Sequence, residues 1–404
     1  MKKTILTNCT LLDGSEGMKP RENMTVVLDG EIIESVQETC PALEDVYLFN
    51  LQGHYLMPGL VNLQACLSED GRPRRTPGRA EQKAGFMMGN PLTRARLRLK
   101  SGDNARVAMM SGVTTIVTVG SAGAMDSLVR DWINIAHVEG PRILATNTTI
   151  LPRGGEDAGA QAPEEARAQV RSLEEGKPDL MRIAAAWDGA RMSPQCLRAC
   201  CEEAHALGCR TMVWADDLQA VRMALENGAD IIEHGARLDQ ETAGLFLEKG
   251  AALVCTLSPL APWALPGGRT EAPGAREELE ELTACAREAL AAGIPVGLGS
   301  GAGAPYAAHY DMWRELYWFH KLVGADSAQT LSAATRVGAA IAGLGDLTGT
   351  IEAGKCADFF VTDRSPLEDL TALRDPTMVV VRGIVMTPRQ FKNKSAEKAL
   401  DRLL

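Results

Sequence analysis

Two stretches of this chain end in side chains able to do chemistry. The string LMPGLVNLQACL at 56–67 reads as a short apolar strand, with turn residues Pro58 and Gly59 before it and Asn62, Gln64 and Cys66 towards its far end. Residues two apart on a strand point to one side, so Gln64 and Cys66 face the same space. A second string, ADIIEHG, ends a strand on His234. A thiol becomes a nucleophile once ionised, and a nearby imidazole or guanidinium favours the thiolate. Cys66 facing His234, with the Arg182 charge close by, would form such a pair. The alternatives are an inert packing cysteine and a hydrogen-bonded structural histidine. Arg182 lies within an apolar strand, and an isolated buried guanidinium is costly, so it needs an anion. Asp216 or Glu156 would supply one from within the chain, and a substrate carboxylate would supply one from outside. Trp214, in TMVWADD, is either a volume filler or a stacking platform for a flat ligand.

These residues need elements that bring them together. Residues 1–55 alternate in short runs (TILTNCTLL, MTVVLDG, EIIESV) separated by Gly14, Gly17, Pro20 and Gly30, the pattern of a small β-sheet. From residue 56 the pattern becomes strand then helix. Apolar strands are expected at 113–119, 142–146, 180–185, 210–215, 231–233, 252–257 and 295–298, and the opening strand makes eight. Helical patterns lie between them, several with a capping residue or proline at the start. Alternation of this kind predicts parallel pairing, and the length fits a closed (β/α)8 TIM barrel better than an open doubly wound sheet. No repeat of fixed period supports a solenoid. After helical patterns at 311–322 and 327–343 the chain returns to β, with turns at Gly349, Gly354 and Gly383.

The expected organisation is a composite β-sheet domain from 1–55 and 347–391, a barrel from 56–346, and a charged surface helix or tail at 392–404. Two loops are expected at the barrel mouth. SEDGRPRRTPGRAEQK places Arg72, Arg74, Arg75 and Arg79 there, as an attractor for an anionic ligand or as a solvated loop. The Pro/Gly-rich stretch 258–275, with Trp263, is a lid or a plain connection.

Composition narrows the partners. The chain has 404 residues, 45% of them apolar, and a net charge of −10. That charge argues against a general nucleic-acid or anionic-membrane surface, which would repel it, and leaves small molecules as the expected ligands. The ten cysteines contain no CxxC pair, a usage that fits free thiols in a reducing cytoplasm. The polar Thr4, Thr7, Asn8 and Thr10 interrupt any signal-peptide core, and no run reaches the roughly 18 apolar residues of a spanning helix. A cytoplasmic location is therefore expected.

Several strings together resemble the amidohydrolase superfamily, in particular its imidazolonepropionase-like and Xaa-Pro dipeptidase-like branch. They are LMPGLVN, GVTT at 112–115, GPRIL at 140–144, ALENGADIIEHG at 224–235, CTLSP at 255–259, HYDMWREL at 309–316 and the closing LSAATRVGAAIAGL with GTIEAGKCADFFVTD. The resemblance implies a barrel whose strand ends hold one or two divalent ions that activate water against a C–N bond. The ligands it implies are two histidines on strand one, a carboxylated lysine on strand four, histidines on strands five and six, and an aspartate after strand eight.

Carried over one by one, those positions hold Gln64, Cys66, Arg182, Trp214, His234 and Gly301. Arginine keeps its proton and forms no carbamate, and an indole has no lone pair to give. One ligand of six is kept, whereas zinc needs three or four good donors. Glu156 stands where the branch often has histidine, and His309 and Tyr310 match a family string that is expected to line the pocket.

The leading expectation is a family member that has lost metal-dependent hydrolysis, takes no cofactor and keeps a pocket for a small molecule or a partner chain. The alternative is an active hydrolase of C–N bonds. It would work metal-free through Cys66 and His234, or with one rebuilt zinc site from Cys66, His234 and Asp216 or Glu156. A third reading is a structural subunit, in a homo-oligomer or beside a related active barrel.

Overall fold

The stretch read as one strand at 56–67 is divided at Gly59, where the chain changes sheets. Tyr55–Pro58 pairs with Phe359–Thr362 near the other end of the chain, whereas Leu60–Ala65 pairs with Val113–Thr118. Gly59 N donates to Asp358 O, and Leu60 N donates to Gly112 O, both at 2.9 Å. A Cβ at Gly59 would sit 2.1 Å from Thr114 Oγ1. Only glycine lets the backbone pass so close to its neighbour. The structure, a computed structural model, describes residues 2–74, 89–121, 123–135, 138–152, 162–187, 189–268, 272–389 and 392–404.

Strands from both ends of the chain share one mixed sheet. Thr4–Leu11 pairs antiparallel with Arg21–Asp29 and parallel with Tyr47–Asn50 and Tyr55–Pro58. Phe359–Thr362 then continues the sheet to Met378–Val381 and Ile384–Met386. Leu6, Leu11, Val26, Leu28, Leu56, Phe359 and Val361 pack together as its core. These positions come from the alternating runs at the two ends of the sequence, and Phe359–Thr362 is buried on both faces, with Phe360 in the larger core.

Eight strands of the middle region pair in parallel, and each falls where the apolar runs predict it. Leu60–Ala65, Val113–Thr118 and Arg142–Leu144 form one sheet. Leu180–Ala184, Arg210–Ala215, Ile231–His234, Ala252–Cys255 and Val296–Leu298 form a second. The fold is therefore α/β, although the expected single closed ladder is divided in two. Among the described residues no ladder joins the two sheets, and isolated bridges, Ile150 with Ile183 and Ala65 with Ala302, lie between them. Next to these seams Asn147 and Gly301 take left-handed backbone, at φ +56° and +58°, which interrupts regular pairing.

Side-chain caps start several of the crossing helices. Ser193 accepts from Cys196 N, Asp217 from Ala220 N and Asp239 from Thr242 N, each satisfying an orphan donor. The helix Pro194–Ala206 buries Cys196, Cys200 and Cys201 against the core, and all ten cysteines are free thiols. Among the described residues no helix is long and apolar enough to cross a membrane.

The C-terminal tail is docked rather than lying loosely on the surface. Leu400, in the helix Lys394–Leu400, packs with Trp263, Ala275 and Tyr306. Beneath the helix, Arg314 is buried and pairs with Asp401 at 2.7 Å and with Glu397 and Asp311 at 3.3 Å. Arg374 reaches Glu397 and Asp401 from the more accessible side. Both guanidiniums lie over the Trp313 ring, at 4.4 and 5.4 Å. Asn393 N donates to Tyr310 Oη at 2.9 Å, so Tyr310 serves the tail rather than the cavity described below. Arg314→Met would leave the buried Asp311 carboxylate without its cation, Glu397 and Asp401 keeping Arg374, and cost about 3–5 kcal/mol. Urea denaturation should show a clearly smaller loss for Arg374→Met, and equal losses would refute the buried role of Arg314.

Candidate functional site

The C-terminal ends of the parallel strands enclose a cavity of about 200 Å³. It gathers six of the residues expected from sequence: Gln64, Cys66, Arg182, Trp214, His234 and Gly301. Val119, Trp187, Pro259, Leu260, Ala302 and Ala304 give it a mostly carbon wall, and Thr256 and Glu278 also line it. Asp216 is exposed and does not line it. Glu156 lies outside the described residues, as do Arg75 and Arg79. His309 is buried behind the loop after strand one, where its Nε2 lies 2.8 Å from Glu69 O. Burial lowers its pKa to about 4, so it is a neutral donor that fixes this loop, away from the cavity.

The anion that Arg182 requires is Glu233, and neither Asp216 nor Glu156 is needed. Arg182 Nε meets Glu233 Oε2 at 2.7 Å and Nη2 meets Oε1 at 3.1 Å, while Nη1 donates to Thr149 Oγ1 at 2.8 Å. Both charges are almost wholly buried, with side-chain exposures of 2% and 0%. The fork geometry and the extra hydrogen bond are what make such a buried pair tolerable. Gln64 Nε2 donates to Glu233 Oε1 and lies 3.2 Å from His234 Nε2.

Strand alternation hides this role of Glu233, because neighbours on a strand point to opposite sides. At His234 the backbone turns left-handed, at φ +74°. Glu233 and His234 can therefore both reach Gln64. A non-glycine residue held in that region stores about 1–3 kcal/mol of strain, which the surrounding contacts must offset.

Charge states follow from these contacts. Burial alone would raise the Glu233 pKa, but the Arg182 charge and its hydrogen bonds hold it below the usual range, so Glu233 is ionised. Burial lowers the His234 pKa, and Glu233 only partly opposes it. The imidazole is neutral at pH 7, with Nε2 accepting from Gln64 and the proton on Nδ1. The Cys66 thiol, 3.2 Å from Ser68 Oγ, is pushed up to about 12 by burial. A thiol in that state is protonated at neutral pH, and its hydrogen-bond contacts are Ser68 Oγ and Gly120 O rather than the His234 imidazole.

Trp214 packs between charged and aromatic neighbours. Its ring lies 4.1 Å from His234 and 5.4 Å, edge-on, from Trp187, with the Arg182 guanidinium 5.2 Å away. Trp187 belongs to a small hairpin, Ala186–Trp187 with Ala190–Arg191, that the strand pattern does not announce. Arg191 pairs with Asp217 at 2.6 Å, and Asp217 caps the helix Leu218–Glu226, so the hairpin is anchored beside the mouth. On the opposite side, buried Glu315 accepts from Leu257 N at 2.8 Å and Ser258 N at 2.7 Å. This holds the loop that supplies Pro259 and Leu260. Gly301 touches that loop closely, since a Cβ there would lie 2.3 Å from Pro259 Cγ.

The donor set does not fit a divalent cation. A guanidinium stands among the candidate ligands, the Glu233 carboxylate is committed to it, and His234 Nε2 is taken by Gln64. Among the described residues no three His, Cys, Asp or Glu side chains gather as a metal-holding group.

The chain belongs to the amidohydrolase family, whose model matches residues 55–386. An uncharacterized protein of Mycobacterium tuberculosis is 30% identical over 209 residues, 48% of this chain and 53% of that protein, so this chain spans about half the length of that relative. The ochratoxinase of Aspergillus niger is 23% identical over 415 residues, covering 94% of this chain and 85% of that one. The crystal structure of a candidate prolidase from Bifidobacterium longum superposes with a TM-score of 0.86, at 29% identity, over 100% of this chain and 99% of that one. The Xaa-Pro dipeptidase-like resemblance seen in the sequence is thus matched by a structural neighbour.

Two outcomes test the electrostatics. Glu233→Gln, which strands the Arg182 charge, should lower the unfolding free energy by about 3–5 kcal/mol, whereas the double variant Arg182→Met/Glu233→Leu should recover much of that loss. The pKa of His234 is lower in the folded state than its ordinary 6.5, so the unfolded chain binds the extra proton first. Its stabilising contribution is present above pH 6.5 and is lost as the pH falls through the folded value. Wild type should therefore lose stability relative to His234→Asn as the pH drops below 6.5, and a pH-independent difference would contradict a half-buried, neutral imidazole.

Proposed function

We propose that this amidohydrolase-family chain has lost metal-dependent hydrolysis and keeps the cavity to bind a small molecule. The observation that carries this reading is the Arg182–Glu233 pair, joined to His234 through Gln64. Positive charge that an ion would bring is already present as a guanidinium, and it is already neutralised. Water activation needs an ion with open positions or a free base, and here each candidate group is engaged or protonated. Gly301 adds support, because an aspartate side chain at that position would collide with Pro259.

The two parallel sheets, bridged at Ile150–Ile183 and Ala65–Ala302, are best understood as one interrupted (β/α)8 barrel. On this view residues 1–55 and 347–391 form the composite sheet domain, 56–346 the barrel and 392–404 the docked tail.

The test is metal content per chain by elemental mass spectrometry, after incubation with zinc, manganese and bicarbonate and then desalting. The expected content is below about a tenth of an equivalent, because a site lacking three or four proper donors releases zinc on desalting. Turnover of Xaa-Pro dipeptides and other amides should stay at the buffer rate. One equivalent of zinc that disappears in Cys66→Ala or His234→Ala, together with turnover, would sink the proposal.

A further inference from the structure

What a molecule entering the cavity touches is decided by which of the lining side chains are accessible. Gln64, Cys66, Arg182 and Thr256 are only 4%, 7%, 2% and 1% exposed, so their polar atoms are almost sealed. Gln64 Nε2 and the Arg182 guanidinium are spent on Glu233, and Gln64 Oε1 and Thr256 Oγ1 are buried out of a ligand's reach. The half-buried side chains of the wall are those of Trp187, Trp214, His234, Pro259, Leu260 and Ala304. Five of these six present mostly carbon. The sixth is a neutral imidazole whose ring lies 4.1 Å from that of Trp214.

Charge and size narrow the occupant further. An ion drawn inside would give up its hydration, and the buried charges there, Arg182 and Glu233, already answer each other. Glu278 also lines the cavity, but it is exposed to water. An uncharged apolar molecule gives up little hydration, and on entering it removes its own carbon surface and that of the wall from water. At about 200 Å³ the cavity exceeds the roughly 150 Å³ of an apolar one known to take benzene. That is room for one aromatic ring with a short substituent.

We propose, resting on the reading of this cavity as a binding site, that its ligand is an uncharged, largely hydrocarbon molecule built on one aromatic ring and held by the tryptophan and aliphatic wall rather than by ion pairs. Amino acids and dipeptides, which carry both charges at neutral pH, are excluded by the same argument.

The test uses the full chain and three probes of similar size, compared by isothermal titration calorimetry at neutral pH: ethylbenzene; benzylammonium, in which an ammonium group replaces the methyl; and benzoate, an anion. Ethylbenzene should bind at least about tenfold tighter than either ion, with the negative heat-capacity change of apolar burial. Two substitutions change the wall without touching Gln64, Arg182, Glu233 or His234. Val119→Phe fills the cavity and Trp187→Ala removes part of its wall, and each should weaken ethylbenzene at least about tenfold while thermal unfolding stays cooperative. If one of them fails to fold, the other still decides. Tightest binding by benzoate or by benzylammonium would overturn the ligand class while leaving the cavity a binding site. An ethylbenzene affinity unmoved by the substitutions would place its binding elsewhere and overturn the proposal as well. If none of the three binds, the ligand class falls, and if the zinc-treated protein also turns over amides, the proposed function falls with it.

Discussion

A guanidinium in the interior of a protein has to be answered by a carboxylate, and the centre of this molecule is arranged around that requirement. Arg182 on strand four is answered by Glu233 on strand six, which lies two strands away across Arg210–Ala215. The pair ties the strand ends together and fixes the Gln64 amide between Glu233 and His234, while burial keeps His234 neutral. Trp214 covers the pair from the cavity side. Replacing any one of these groups alone would leave another without its partner, so the set behaves as a unit.

The same solution recurs at the edge of the molecule. Arg314 is answered by carboxylates brought in by the tail, as Arg182 is answered by one brought in by a strand end. In both places an aromatic ring lies against the cation, where its face contributes a weak attraction that needs no further desolvated charge. The tail cluster is coupled to the cavity through packing, because Leu400 supports Trp263 on the segment that follows Leu260.

Much of the fold was legible in the sequence because apolar runs of strand length alternate with capped helical patterns, and that signal is local. The six residues placed around one cavity were legible through the family resemblance, which sets them at ligand positions on or just after the strands. Glu233 was not, because its direction depends on the left-handed backbone at His234, and no periodicity reports a single dihedral. The hairpin carrying Trp187 is only two residues a side, too short to show alternation. The docking of the tail was hidden because its partners are distant: Glu397 answers Arg314, 83 residues earlier. The division of 56–67 at Gly59 depends on how near Thr114 comes, which is a fact of packing rather than pattern.

The crossing at Gly59 also bears on how the chain can fold as it is made. Tyr55–Pro58 has Thr4–Leu11 on one side from the start, but its other side waits for Phe359–Thr362. At the usual 5–20 residues per second of synthesis, roughly 300 residues and roughly 15–60 s separate the two partners. For that interval the N-terminal strands present an open edge, the kind of surface that pairs with other chains. Pairings so distant in sequence also form slowly once available. Closure of the mixed sheet is thus a late event, and until then the Tyr55–Pro58 edge is open to pairing with other chains.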